Sequence, residues 1–124
     1  MSVNAIETMV EWIEDNLMNH PTLSEMSEVV GYSPYYCSVK FHETVGITFK
    51  QYIAKRRMSL ASEDVKKTNL KFLDIALKYG FSSQEAFTRA FAGEYGCTPY
   101  QFRKKTILIK TFIKPAIIPP PNEK

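Results

Sequence analysis

The chain has 124 residues, 44% of them hydrophobic and 23% charged, with a formal charge of +3. This length suits one domain or two small subdomains, and no apolar run approaches the length of a membrane span. Two isolated cysteines, Cys37 and Cys97, are too few for a metal site or a disulfide framework, and Met1-Ser2-Val3 leads into a helical pattern rather than a signal peptide. The expectation is a cytoplasmic protein without membrane contact, metal or cofactor. Charge is unevenly spread. Residues 1–29 contain Glu7, Glu11, Glu14, Asp15, Glu25 and Glu28 but no Lys or Arg, so all 16 basic residues lie later. Such asymmetry suits a polyanionic partner for the later part.

Taken in order, the first predicted helix runs from about Asn4 to Asn19, with Ile6, Met9, Val10, Ile13 and Leu17 as its apolar stripe and Trp12 at the stripe's edge. Thr22-x-x-Glu25 has capping-box spacing and opens a second helix that ends at Gly31. Ser33 and Pro34 open a third. It turns Cys37 and Phe41 inward and Tyr35, Ser38, Val39 and His42 outward. A longer helix from Thr48 to about Lys67 buries Phe49, Tyr52, Ile53, Leu60, Ala61 and Val65 and carries the basic cluster Lys55-Arg56-Arg57. At ~1.5 Å per residue it spans roughly 28 Å. That is close to one turn of DNA, roughly 34 Å.

Thr68-Asn69 is expected to cap the next helix, with Phe72, Ile75, Ala76 and Tyr79 inward. Gly80 then leads into a helix opened by Ser82 or Ser83, where Ser82-x-x-Glu85 again has capping-box spacing. Phe87, Phe91 and Tyr95 share one face of it, and Gln84, Glu85, Thr88 and Arg89 share the other. An amide, a carboxylate, a hydroxyl and a guanidinium on one face can address base edges. Cys97-Thr98-Pro99 opens a last helix through Phe102 and Arg103. Thr106–Lys114 is β-branched and apolar, and Pro115 and Pro119–Pro121 follow. This tail reads as irregular or strand-like, a linker towards a C-terminal effector domain.

Much of this pattern occurs twice. Gly31, Tyr32 and Ser33 match Gly80, Phe81 and Ser82; after one extra turn residue, Phe41, Gly46, Thr48 and Gln51-Tyr52 match Phe91, Gly96, Thr98 and Gln101-Phe102. Upstream, Leu23, Met26, Ser27 and Val30 match Phe72, Ile75, Ala76 and Tyr79. Each unit is a helix, a Gly turn, a helix and a Gly loop, the form of a helix-turn-helix. Small Ser27 and Ala76 stand four residues before the Gly, where two helices cross closely. The predicted architecture is all-α with about seven helices: an N-terminal helix-turn-helix subdomain (1–47), a linker helix (48–67), a C-terminal helix-turn-helix subdomain (68–105) and a tail (106–124).

These motifs resemble the DNA-binding domain of the AraC/XylS family of bacterial transcription regulators. The resemblance covers about Val10 to Arg103. It rests on Trp12-Ile13-Glu14-Asp15-Asn16-Leu17, Gly31-Tyr32-Ser33, Phe41-x4-Gly46, Gln51-Tyr52-Ile53, Ala76-x-x-Tyr79-Gly80-Phe81, Gln84, Thr88-Arg89-x-Phe91 and Pro99-x-x-Phe102-Arg103. It implies a sequence-specific binder of double-stranded DNA whose two recognition helices enter successive major grooves. Position by position, it implies base reading by Tyr35, Ser38 and Val39 in the first helix and by Gln84, Glu85, Thr88 and Arg89 in the second. Lys40, Arg56, Arg103 and Lys104 are the candidates for phosphate. RNA polymerase is an implied partner. Dimerisation and any effector ligand would belong to a separate domain, leaving this piece monomeric. This chain departs from related activators at Ser38 and Val39, where they often carry long polar side chains. The first subdomain is therefore expected to make phosphate, apolar and shape contacts, and the second to carry most base readout. Two other readings fit parts of the sequence: a helix-turn-helix that docks on protein, and an enzyme. The family's fused DNA-repair enzymes use a Cys-rich metal site, for which Cys37 and Cys97 have no companions, and the chain is expected not to be an enzyme.

Overall fold

A computed structural model describes residues 3–104 and 112–114. Among these it contains seven α-helices and no strand: α1 (Val3–Asn16), α2 (Leu23–Val30), α3 (Pro34–Val45), α4 (Phe49–Lys67), α5 (Phe72–Lys78), α6 (Gln84–Tyr95) and α7 (Pro99–Lys104). The expected all-α fold is the observed one. Most of the tail lies outside the described residues; Phe112–Lys114 have no regular secondary structure.

The chain divides into two compact units, the first running through Ala54 and the second spanning Lys55–Ile113. The division falls inside α4, so one helix serves two cores. In the first unit α1, α2 and α3 pack on one another. Ile6, Met9, Val10, Ile13, Leu17, Met26, Cys37 and Phe41 are buried, and Phe49, Tyr52 and Ile53 of α4 are buried with them. Phe41 meets Phe49 and Tyr52 edge-on, at 6.3 and 5.7 Å between ring centroids. Tyr52 takes its hydroxyl into this core and donates it to Glu14 Oε2 at 2.8 Å, which satisfies the one polar atom of that ring.

The second unit is built around Met58, Ala61 and Val65 of α4, Ile75, Ala76 and Tyr79 of α5, Phe87 and Phe91 of α6 and Phe102 of α7. Phe91 is the hub of its aromatic contacts. It meets Phe87 at 5.8 Å, Tyr95 at 4.8 Å and Phe102 at 5.8 Å. The predicted Phe87–Phe91–Tyr95 face of α6 is therefore the packed one.

Helix ends follow local chemistry. Thr22 and Glu25 form the expected reciprocal capping box, and Gly31 closes α2 in the left-handed region at φ 78°. Ser33 caps α3, with Pro34 in its first turn. The helix-closing residues Gly46 and Gly96 are also left-handed.

Three ends differ from expectation. The first helix stops at Asn16, not Asn19, where the Asn16 amide donates back to the Trp12 carbonyl at 2.8 Å. Thr68 does not cap α5. Its hydroxyl donates to the Asp64 carbonyl, closing α4 instead, and α5 starts after Lys71 with no side-chain cap. Ser83, not Ser82, caps α6 by accepting from Ala86 N–H, which leaves Glu85 one position early for a capping box.

Candidate nucleic-acid interface

Both recognition-type helices are fixed from behind in the same way. On α3, Cys37 and Phe41 are fully buried; on α6, Phe87 and Phe91 are. One i, i+4 pair per helix holds each rod by one face and leaves the other outward. The helix after each is also started identically. Thr48 N–H donates to Gln51 Oε1 at 2.9 Å while Gln51 N–H donates to Thr48 Oγ1 at 3.1 Å. Thr98 and Gln101 repeat those bonds at the same two distances. The sequence repeat had matched these residues, and the structure shows the chemistry they share: a capping box with Gln in the acidic position.

On the outward face of α6, Gln84, Glu85 and Arg89 are exposed and Thr88 is half-buried. All four predicted readers thus share one face of one helix. Behind the turn that leads into α6, Asp64 of α4 accepts from Lys78 Nζ and from the Tyr79 hydroxyl, both at 2.8 Å. Burial would raise the Asp64 carboxyl, but the Lys78 and Tyr79 hydrogen bonds outweigh it and hold its pKa below the ordinary value. Burial, followed by the bond to Asp64, pushes the Tyr79 phenol up. These bonds tie the end of α5 to α4. Gly80, at φ 87°, then reverses the chain towards α6, and Phe81 N–H donates to the Ala76 carbonyl at 2.9 Å.

The face of α3 is chemically different. Tyr35 is 79% exposed, and Ser38 and Val39 are half-buried on the same side. Tyr32 stacks on Tyr36 at 5.5 Å. This stack was not anticipated, although its i, i+4 spacing across the Ser33 cap was a legible signal. Burial raises the Cys37 thiol above its ordinary range, which keeps it protonated behind this face.

The four phosphate candidates fare unequally. Arg103 turns into its own unit: its Nε donates to the Val65 carbonyl at 2.8 Å, and its guanidinium lies 4.4 Å from the Phe72 ring centroid. It satisfies a carbonyl in the last turn of α4, a structural task the sequence reading did not foresee. Lys66 returns the link by donating to the Phe102 carbonyl at 3.0 Å. Arg56 donates to the Phe112 carbonyl at 2.8 Å. Lys40 pairs with Glu43 at 3.2 Å and lies 5.6 Å from the Tyr36 ring centroid. Lys104 is exposed, 5.8 Å from the Tyr100 ring centroid. Among the described residues no helix is long and apolar enough to cross a membrane.

Residues 26–105 match the model of a helix-turn-helix domain family. The chain is 36% identical over 98 residues to the HTH-type transcriptional activator AarP of Providencia stuartii, covering 79% of this chain and 73% of that protein. The chain belongs to the AraC/XylS family of helix-turn-helix DNA-binding domains. The fold agrees. A transcriptional regulator from Chromobacterium violaceum, described as AraC-type, superposes with a TM-score of 0.74 at 22% identity, over 81% of this chain and 89% of that one. The DNA-binding domain of AdpA, solved in complex with a target DNA, superposes with a TM-score of 0.68 at 18% identity, over 79% and 88%. The expected family and fold are thus those found, and the AraC/XylS assignment carries with it sequence-specific DNA binding in transcription regulation.

Proposed function

We propose that this chain regulates transcription by inserting α3 and α6 into successive major grooves of one asymmetric DNA site. The observation that carries this reading is the outward face of α6, where an amide, a carboxylate, a hydroxyl and a guanidinium stand together over a packed aromatic floor. The similarity to a transcriptional activator and to a domain solved with its target DNA supports it. In this reading Gln84, Glu85, Thr88 and Arg89 address bases. Arg89 takes a guanine O6/N7 edge, and Tyr35, Ser38 and Val39 line the other groove. Lys40, Arg56 and Lys104 remain candidates for phosphate, and Arg103 would have to exchange the Val65 carbonyl for one. Each helix-turn-helix subdomain is one reading head, α4 is the spacer, and the chain acts as a monomer, without a catalytic function, that recruits RNA polymerase. An effector domain after the 106–124 linker is tested by the intact mass of the native product. A mass near 14.3 kDa would refute it.

The direct test is selection from a random duplex pool at two salt concentrations. Two boxes about ten base pairs apart, weakened by salt, are expected. A second reading is a docking module. It is favoured by Leu70, Leu73 and Leu77, 42%, 44% and 56% exposed, which occupy positions filled by Pro21, Ser24 and Glu28 in the first repeat. Failure to enrich any duplex at either salt would move the assignment there.

A further inference from the structure

We infer that the first reading helix recognises the 5-methyl group of a pyrimidine in its half of the site, through Tyr35 and Val39. This deepens the DNA-binding reading above and rests on it. The two helices are matched in construction: each has 12 residues, and each buries the fourth and eighth. That register sets Tyr35 opposite Glu85, Ser38 opposite Thr88 and Val39 opposite Arg89. The fold therefore does not demand an apolar pair at Tyr35 and Val39, because the second copy carries charges there and builds the same helix.

The chemistry of the pair narrows its target. Tyr35 and Val39 stand one helical turn apart on the outward face, and both reach solvent. Val39 has no hydrogen-bonding atom in its side chain. A base edge pressed against it would leave a donor or acceptor desolvated and unpaired, which is costly. The major-groove edge offers one apolar feature, the C5 methyl of thymine. 5-Methylcytosine presents the same group. Beside the methyl, thymine offers an O4 acceptor and cytosine an N4 donor, and the Tyr35 hydroxyl can serve either. Ser38, between the two, is small enough to let the pair approach the groove floor. The second head has the opposite character at those two positions, with charged Glu85 and Arg89, and only the Thr88 methyl on that face could meet a base methyl.

The test uses the duplex selected by the full chain, with binding read by fluorescence anisotropy. Each thymine in the box of α3 is replaced by deoxyuridine, which removes only the methyl. One or two of these changes are expected to weaken binding about four-fold each, the worth of one buried methyl. The same replacement in the box of α6 is expected to weaken binding less, because only the Thr88 methyl is there to meet it. In the Val39→Ala variant, checked for folding by circular dichroism, the deoxyuridine effect is expected to shrink towards none. Replacing a sensitive thymine by cytosine and then by 5-methylcytosine separates the two sources: recovery with the methyl identifies the methyl as the feature read. Selective binding that is indifferent to deoxyuridine in the first box, or equally sensitive in both, would overturn the inference and leave the DNA-binding reading standing. Loss of all selective binding by the unmodified chain would overturn both.

Discussion

Helix α6 has one glycine within it, Gly93, and one just past its end, Gly96, and the same substitution should act in opposite directions at the two. Gly96 has φ 75°, where an L side chain places Cβ against the following carbonyl. An added Cβ there meets nothing within 4 Å, so the cost is conformational alone. Gly96→Ala is therefore expected to destabilise by about 1–2 kcal/mol. Gly93 is exposed in a helical turn, and its Cβ would also meet nothing within 4 Å. There alanine relieves the entropic penalty of glycine, and Gly93→Ala should stabilise by about 0.5–1 kcal/mol. Each kcal/mol corresponds to roughly 4 °C in melting temperature for a chain of this size. Thermal and urea unfolding followed by far-UV circular dichroism would read both, with Trp12 fluorescence reporting on the first unit. Shifts of the same sign would refute the reasoning, because the sites lie three residues apart, share exposure and empty surroundings, and differ in backbone conformation.

Arg89→Ala should cost about 1–3 kcal/mol at the preferred site and relax preference at one base pair, while a uniform loss on all duplexes would mark Arg89 as a phosphate contact. Because Asp64 titrates below its ordinary range when folded, its contribution to stability is complete above the unfolded value of about 3.9 and is lost as pH falls through the lower folded value. Asp64→Asn should therefore lower the urea midpoint at neutral pH, and the difference from the parent should shrink as pH falls below the unfolded value towards the lower folded one. The Lys78 side chain is 52% exposed, so solvent screening keeps its share of that effect small. Removing the cap in Thr48→Ala or Thr98→Ala should each cost about 1 kcal/mol, measured by chemical unfolding; a loss confined to one of them would show that the two boxes are not equivalent.

Much was decided by the sequence alone because the determinants are local. A Ser or Thr beside a helix start, a glycine at its end and an apolar step of four residues act within a few ångströms of chain. They sufficed to place seven helices and to match Phe41 with Phe91. The repeat did the same for the reading faces, since burying Cys37 and Phe41, or Phe87 and Phe91, leaves the outward residues no choice of side. Tertiary structure decided what depends on groups far apart in the chain. Nothing near Arg103 reveals that the Val65 carbonyl, 38 residues away, takes its Nε hydrogen. Nor does Glu14 show in a helical pattern that it receives the Tyr52 hydroxyl. Thr68, by contrast, was a local choice between two helix ends: its hydroxyl donates to the Asp64 carbonyl four residues back, and α5 starts after Lys71 without a side-chain cap. A side chain with several possible partners chooses among them by proximity, and proximity between distant residues exists only once the helices have packed.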